Sequence, residues 1–398
     1  MAKSHWKINI AMLWFSQLLI MAGFSAMIPF ISLFIKNELG ITEQAQLAKY
    51  ISAFSFFGTL GYVIFIPIWG MLGDKFGIKP MLLRGTFVTC IIFPMMGYVK
   101  TPEMLIFLRF ISASCAGTTA ASTTMLARTT PDSHQGFALG LLSTAVWGGS
   151  MLGNFIGGII IHKYTYMHAF WLCGVLYFIA GFSVLFTNDD MELVSKAKNA
   201  VAKSRNWFAN FTPSIWLMLL LFFILGFIRT VETPYIALRV EEMTSKEEAE
   251  YWTGIISAIV CIGAIIAGAS AGSLADRYPP IVLLCPIFVI SIVAMAMQGW
   301  GMNPVFFAAS RTLLYVSAGG IQPIIQRTLS SITPKNRRGT VFGAASGLSS
   351  VGTMLAAVVG GVSYALIGVH NTFYVAALFY ILAFPVFFVI IRRLDKSN

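Results

Sequence analysis

Charge is what this 398-residue sequence has least of: Asp, Glu, Lys and Arg make up 11% of it, against about 25% in an ordinary soluble domain. With 57% hydrophobic residues, there is too little polar surface to cover a globule in water. Cysteine is scarce as well. Cys90, Cys115, Cys173, Cys261 and Cys285 all fall inside apolar runs, with no CxxC pair and no histidine ligand set. That excludes a disulfide scaffold and a metal site and leaves five small core hydrophobes. HExxH and clustered His/Asp sets are missing too, so the reading of an enzyme working inside a membrane has little sequence support. The formal net charge is +11, but the basic residues lie at the ends of apolar runs rather than in one patch, which argues against a nucleic-acid partner. Nothing in the composition calls for a bound cofactor.

What is present is long apolar runs, and the lipid bilayer is the partner they imply. A membrane-crossing helix needs about 20 apolar residues. Twelve such runs are expected near 9–36, 47–71, 81–99, 103–127, 137–161, 168–187, 213–238, 250–273, 281–299, 304–328, 339–363 and 371–391. The fold class is therefore all-α integral membrane, with twelve transmembrane helices. Lys3 and Lys7 precede the first run like a signal peptide, yet no A-x-A-like cleavage site follows, so the run reads as a retained span. One polar stretch, holding Lys196, Lys198, Lys203 and Arg205, divides the chain into a six-helix half (1–187), a linker (188–211) and a second six-helix half (212–398).

Loop charges set the expected orientation. Alternate loops on one side carry most of the Lys and Arg, whereas the other side has only Lys36, Lys49, Lys100, Lys163, Arg239 and Lys246. By the positive-inside rule both termini and the linker are cytoplasmic. Glu241, Glu242, Glu247, Glu248 and Glu250, after span seven, read as solvated charges of an outer loop.

The halves are copies. Gly70, Leu72, Asp74 and Arg109 recur 202 residues later as Gly272, Leu274, Asp276 and Arg311, and Pro131, Gly136, Gly157, Gly158 and Phe170 recur 203 later as Pro334, Gly339, Gly360, Gly361 and Phe373. Matching loops fall on the same side, so the repeat is parallel, and substrate sites of such proteins lie between the halves near mid-bilayer.

Three stretches carry a family resemblance. Gly70-Met-Leu72-Gly-Asp74-Lys75-Phe-Gly77-Ile-Lys79, after span two, recurs as Gly272-Ser-Leu274-Ala-Asp276-Arg277. Glycines there permit a tight turn, and the aspartate can cap a helix or pair with cations. Span five holds Gly149, Gly153, Gly157 and Gly158 at spacings that let a neighbouring helix approach closely. Span one holds Gly23-Phe24 and Pro29, a proline that bends a membrane helix. These segments resemble the signatures of the major facilitator superfamily, in its drug:proton antiporter branch, and most of all those of bacterial MdtG-like multidrug efflux transporters. Asn154 stands where the span-five motif has proline, and Ser32 where the span-one motif has its second.

The resemblance implies a two-half major facilitator fold in a bacterial cytoplasmic membrane, a monomer, and export of hydrophobic or cationic small molecules driven by a proton gradient. The alternative within transporters is a carrier for one specific metabolite or organic anion, for which Arg109, Arg229 and Arg311 offer positive charge. Glu232 is the one acidic residue placed inside a span, three residues after Arg229 on the same helical face, where the two can pair. Counted from the outer ends, Glu232 and Arg109 lie at similar depths, about 9 Å and 8 Å in. A carboxylate that alternates between burial and a nearby arginine can take up and release a proton, so Glu232, Arg229, Arg109 and Arg311 are the expected coupling residues. Phe24, Pro29, Trp147, Phe227 and Tyr235 are the expected cavity residues, and the span-two and span-five motifs the expected conformational elements.

Overall fold

A computed structural model describes residues 6–131, 134–188, 212–275, 278–301, 303–333 and 338–395. Inside hydrocarbon every backbone N–H and C=O must pair within its own segment, which leaves the helix as the form for runs of this length. Among the described residues there is no strand. The first six helices are α1 (Trp6–Asn37), α2 (Gln44–Phe76), α3 (Ile78–Met96), α4 (Pro102–Thr129), α5 (Gln135–Lys163) and α6 (Tyr166–Val184). The second six begin with α7 (Pro213–Met243), α8 (Ala249–Ala275) and α9 (Pro280–Trp300). Then come α10, in two parts (Pro304–Ala318 and Ile321–Ile332), and α11 and α12, the parts of Arg338–Asp395 that meet at Gly368. At Gly368 a φ of 81° breaks the helix and turns the chain back. The expected linker lies outside the described residues except for Asn188.

Four helices that the hydropathy pattern shows as continuous are broken. In α1 the chain tightens to a 3-10 turn at Ile28–Phe30, where Pro29 has no N–H to give the helix. In α4 the break is at Gly117, with φ 111°. In α7 the helix stops at Ile228 and resumes at Ile236, with a second proline-containing 3-10 turn, Thr233–Tyr235, between. In α10 it falls at Gly319 and Gly320. These are the first and fourth helices of each group of six.

The span-five glycines pack where the spacing places them. A methyl group at Gly149, Gly153 or Gly157 would overlap the carbonyl oxygens of Leu18, Ala22 and Ala26, so α5 lies backbone to backbone on α1. The second group repeats the seam: Gly352 and Gly360 meet the carbonyls of Phe223 and Val231. The glycines are 203 residues after Gly149 and Gly157, but their partners are 205 after Leu18 and Ala26, as is Pro234 after Pro29. The first helices of the two groups thus match at an offset of 205, two more than the rest of that seam.

Contacts between the groups gather at one end. Both described chain ends sit at the same end of the bundle, after an even number of crossings, and the groups touch at the opposite, far end. There Lys36 pairs with Glu241 at 2.6 Å, the Tyr166 hydroxyl donates to Glu250, Gln44 donates to the Tyr364 carbonyl at 2.7 Å, and Ser52 and Tyr235 share a 2.9 Å hydrogen bond. Gly158 of α5 lies against Gly254 of α8, and Asn154 donates to the Ser257 carbonyl at 3.2 Å. Toward the terminal end, Gly70, Gly148, Gly343 and Gly347 have open space where a side chain would start. The acidic cluster after span seven is therefore not simply solvated. Glu250 is buried and the Glu241 side chain is 10% exposed, because closure of the far end covers both.

Candidate functional site

The break in α7 makes the site. Residues 229–232 leave the helix, so Arg229 and Glu232 no longer share a helical face. The expected pair is replaced by two others. Glu232 turns inward and meets Arg311 of α10, Nη1 to Oε1 at 3.5 Å, with the two side chains 2% and 3% exposed. Arg229 instead donates to Gln322 Oε1 at 2.9 Å, across the second break. Arg311 also donates to Gln298 of α9 at 2.8 Å and lies over the Tyr315 ring at 5.4 Å.

Arg229, Glu232, Leu314, Tyr315, Ala318, Gly319 and Tyr380 enclose a small cavity. Its free volume of about 10 Å³ is roughly what a single water needs. Glu232 Oε2 has no hydrogen-bond partner among the described residues. One carboxylate oxygen is thus held by an arginine while the other is left for a proton or a water. Gln298, Tyr315, Gln322 and Tyr380 were not foreseen; the glutamines inside two apolar runs, Gln298 in one and Gln322 with Gln326 in the other, were the available signal, since glutamine is costly in lipid without a partner.

Among the described residues Arg109 is brought to neither Glu232 nor any other carboxylate. It sits among α1, α2 and α4, with its guanidinium carbon 5.3 Å from the Phe24 ring and 5.5 Å from the Phe54 ring. Of the expected cavity residues, Phe24 and Trp147 are half-buried, Pro29 shapes the turn in α1, and Phe227 packs edge-on against Phe379 at 4.9 Å. Tyr235 does not face an open cavity: it is fully buried in the far-end seam, bonded to Ser52.

The span-two motif lies at the terminal end. Asp74 accepts from Arg128 of α4 at 2.6 Å, Gly77 turns the chain with φ 96°, and Lys79 donates to the Leu185 and Thr187 carbonyls after α6. Those contacts stay within the first group, and Gly70 faces open space. The second copy, Asp276 and Arg277, lies outside the described residues. No group of His, Cys, Asp and Glu suited to a metal occurs among the described residues.

The sequence profile of the Major Facilitator Superfamily matches residues 13–300 and 252–398. The multi-drug resistance efflux pump PmrA of Streptococcus pneumoniae is 28% identical over 95% of this chain and 94% of its own. The multidrug resistance protein MdtG of Proteus mirabilis is 29% identical over 94% and 93%. Among solved structures, the nucleoside transporter NupG superposes with a TM-score of 0.79 at 13% identity, covering 96% of this chain and 99% of that one. The D-xylose-proton symporter superposes with 0.76 at 14% identity, over 96% and 97%. Structural likeness at such identities speaks to the fold alone.

Proposed function

The chain belongs to the major facilitator superfamily and is a membrane transporter, and from that premise we propose that it is a proton-driven exporter of hydrophobic or cationic small molecules. The observation that carries the reading is the buried Glu232–Arg311 pair with one free carboxylate oxygen. One relative named a multi-drug resistance efflux pump and another named a multidrug resistance protein support the substrate class.

The proposed cycle follows from charge. With Glu232 ionised, Arg311 draws α7 toward α10 at their breaks; a proton on Glu232 removes the attraction, and Arg311 keeps Gln298 alone. Each state favours a different arrangement of the broken helices, so proton occupancy biases which end of the bundle opens. The excess of Lys and Arg in the terminal-end loops supports cytoplasmic termini. In that orientation the present form is open to the cytoplasm and sealed outside by Lys36–Glu241 and Tyr166–Glu250. The two groups of six act as the moving bodies, joined by the 188–211 linker, in a monomer of a bacterial cytoplasmic membrane.

The test uses inside-out membrane vesicles with an imposed pH gradient and several lipophilic dyes. Dye should accumulate against its gradient in wild type. The Glu232→Gln variant, present at the wild-type folded amount, should lose accumulation while still binding dye. Wild-type accumulation in that variant would show that the proton travels elsewhere.

A further inference from the structure

Arg109 and Arg311 are counterparts in the repeat, 202 positions apart, as are the prolines that open their helices, Pro102 and Pro304. Their surroundings differ in one respect. Arg311 has Glu232 and Gln298 as partners. In the first group, Glu232 is replaced at the 205-residue offset of α1 and α7 by Met27, and Gln298 at the 202-residue offset by Met96. Both methionines are buried. The first group has the arginine but neither the carboxylate nor the amide that holds its counterpart.

Nothing else takes their place. Among the described residues Arg109 makes no ion pair and no hydrogen bond, and its Nε is sealed from solvent without a partner. The Phe24 and Phe54 rings offset part of its charge. Space is reserved for it, since a side chain at Gly58 would start 2.6 Å from Nε. Guanidinium does not shed its proton, so the charge persists, and in a low-dielectric site it attracts whatever anion can reach it. Arg109 keeps partial exposure, and of its nitrogens only Nε is sealed from solvent without a partner.

We propose that Arg109 is an anion subsite of the transport path, taking the carboxylate of an amphiphilic organic acid or zwitterion whose apolar body lies against Phe24. This rests on the exporter reading for the transport path and extends its substrates, there hydrophobic or cationic, to amphiphiles that carry a carboxylate. The Arg109 fork receives the carboxylate through its Nη groups, while the second arginine, satisfied by Glu232, serves proton exchange. The repeat thus splits two arginines of common origin into a substrate subsite and a coupling residue.

The experiment measures binding of two probes of one shape, dansylglycine and its uncharged amide dansylglycinamide, to the purified full-length protein by dansyl fluorescence. Hydrogen bonds to a charged group carry about 1.5–3 kcal/mol, so the acid should bind about tenfold or more tightly than the amide. Arg109→Gln should bring the acid down to the level of the amide and leave the amide unchanged. Arg109→Lys should retain part of the preference. Gly58→Ala, which displaces the guanidinium without removing its charge, should weaken the acid alone; with the wild-type probe pair, it decides the matter should Arg109→Gln fail to fold. Equal binding of acid and amide to wild type, or a full acid preference in Arg109→Gln, overturns the subsite. Such a result alongside intact pH-driven dye export would leave the exporter reading standing. A clear acid preference without any vesicle transport would overturn the exporter reading and keep the subsite.

Discussion

Tyr166 of α6 donates its hydroxyl proton to the buried carboxylate of Glu250 on α8, a hydrogen bond that joins the two groups of six helices across the far end. Asn37 reaches the same tyrosine oxygen at 3.4 Å, and one turn away His162 Nδ1 bonds the Glu247 carbonyl at 2.7 Å. Closure of this end therefore depends on polar contacts laid over a close glycine crossing.

Tyr166→Phe should weaken closure without unfolding either group. A hydrogen bond to a charged acceptor is worth about 1.5–3 kcal/mol, so the closed population should fall by roughly tenfold or more relative to the open one. Distance measurements between spin labels at the far-end loops would read the shift. An unchanged distribution would show that the glycine crossing alone holds the end shut.

Arg311→Met should be among the most destabilising substitutions in the second group, because it strands a buried carboxylate; removing one partner of such a pair costs about 3–5 kcal/mol. The double variant Glu232→Met/Arg311→Met, which imitates the apolar choice made at Met27, should recover most of the thermal stability in detergent and none of the pH-driven transport. Recovery of transport would remove the pair from the mechanism.

Gly153→Ala should impair folding, since the new methyl group overlaps the Ala22 carbonyl and forces α5 off α1. Overpacking of this kind costs about 1–3 kcal/mol. Gly148→Ala, on the same helix with open space beside it, should be neutral or slightly stabilising. Folded yield by fluorescence-detected gel filtration separates the two; equal yields would mean that the seam yields easily.

Asp74→Asn should lower transport while leaving membrane levels near normal. The Asp74–Arg128 pair is half-exposed on the acid side, and exposed pairs contribute only about 0–1 kcal/mol to stability, so a large functional loss would point to switching. Asp276→Asn should do less, because its turn ends in Pro279-Pro280 rather than glycine and a basic residue. Equal losses in transport assays would argue against a latch confined to the first copy.

Reporter fusions should place the C-terminus in the cytoplasm. A reporter active only outside the cell would reverse the orientation argued from loop charge and, with it, the side to which the present form opens.

The sequence by itself determined the solvent, the number of crossings and the duplication. Hydropathy over twenty residues depends on composition alone, and backbone pairing in hydrocarbon leaves the helix as the outcome. It also determined the span-five seam, because glycines at Gly149, Gly153 and Gly157 declare a close approach through spacing within one helix. Only the tertiary structure decided the partners of the charges. Arg229 and Glu232 look paired when a helix is assumed to continue, but Pro234 and the turn before it break α7, and a broken helix turns neighbouring side chains in different directions. Glu250 looks solvated as one of a run of glutamates, yet its burial depends on Tyr166, 84 residues away. The two-residue difference in register between α1 and α7 is likewise invisible until carbonyl contacts align the helices, and it is what sets Met27 opposite Glu232 and leaves Arg109 without a counter-charge. Local pattern specifies elements because its physics is local, whereas electrostatic pairing joins atoms that the chain brings together only after the helices have packed.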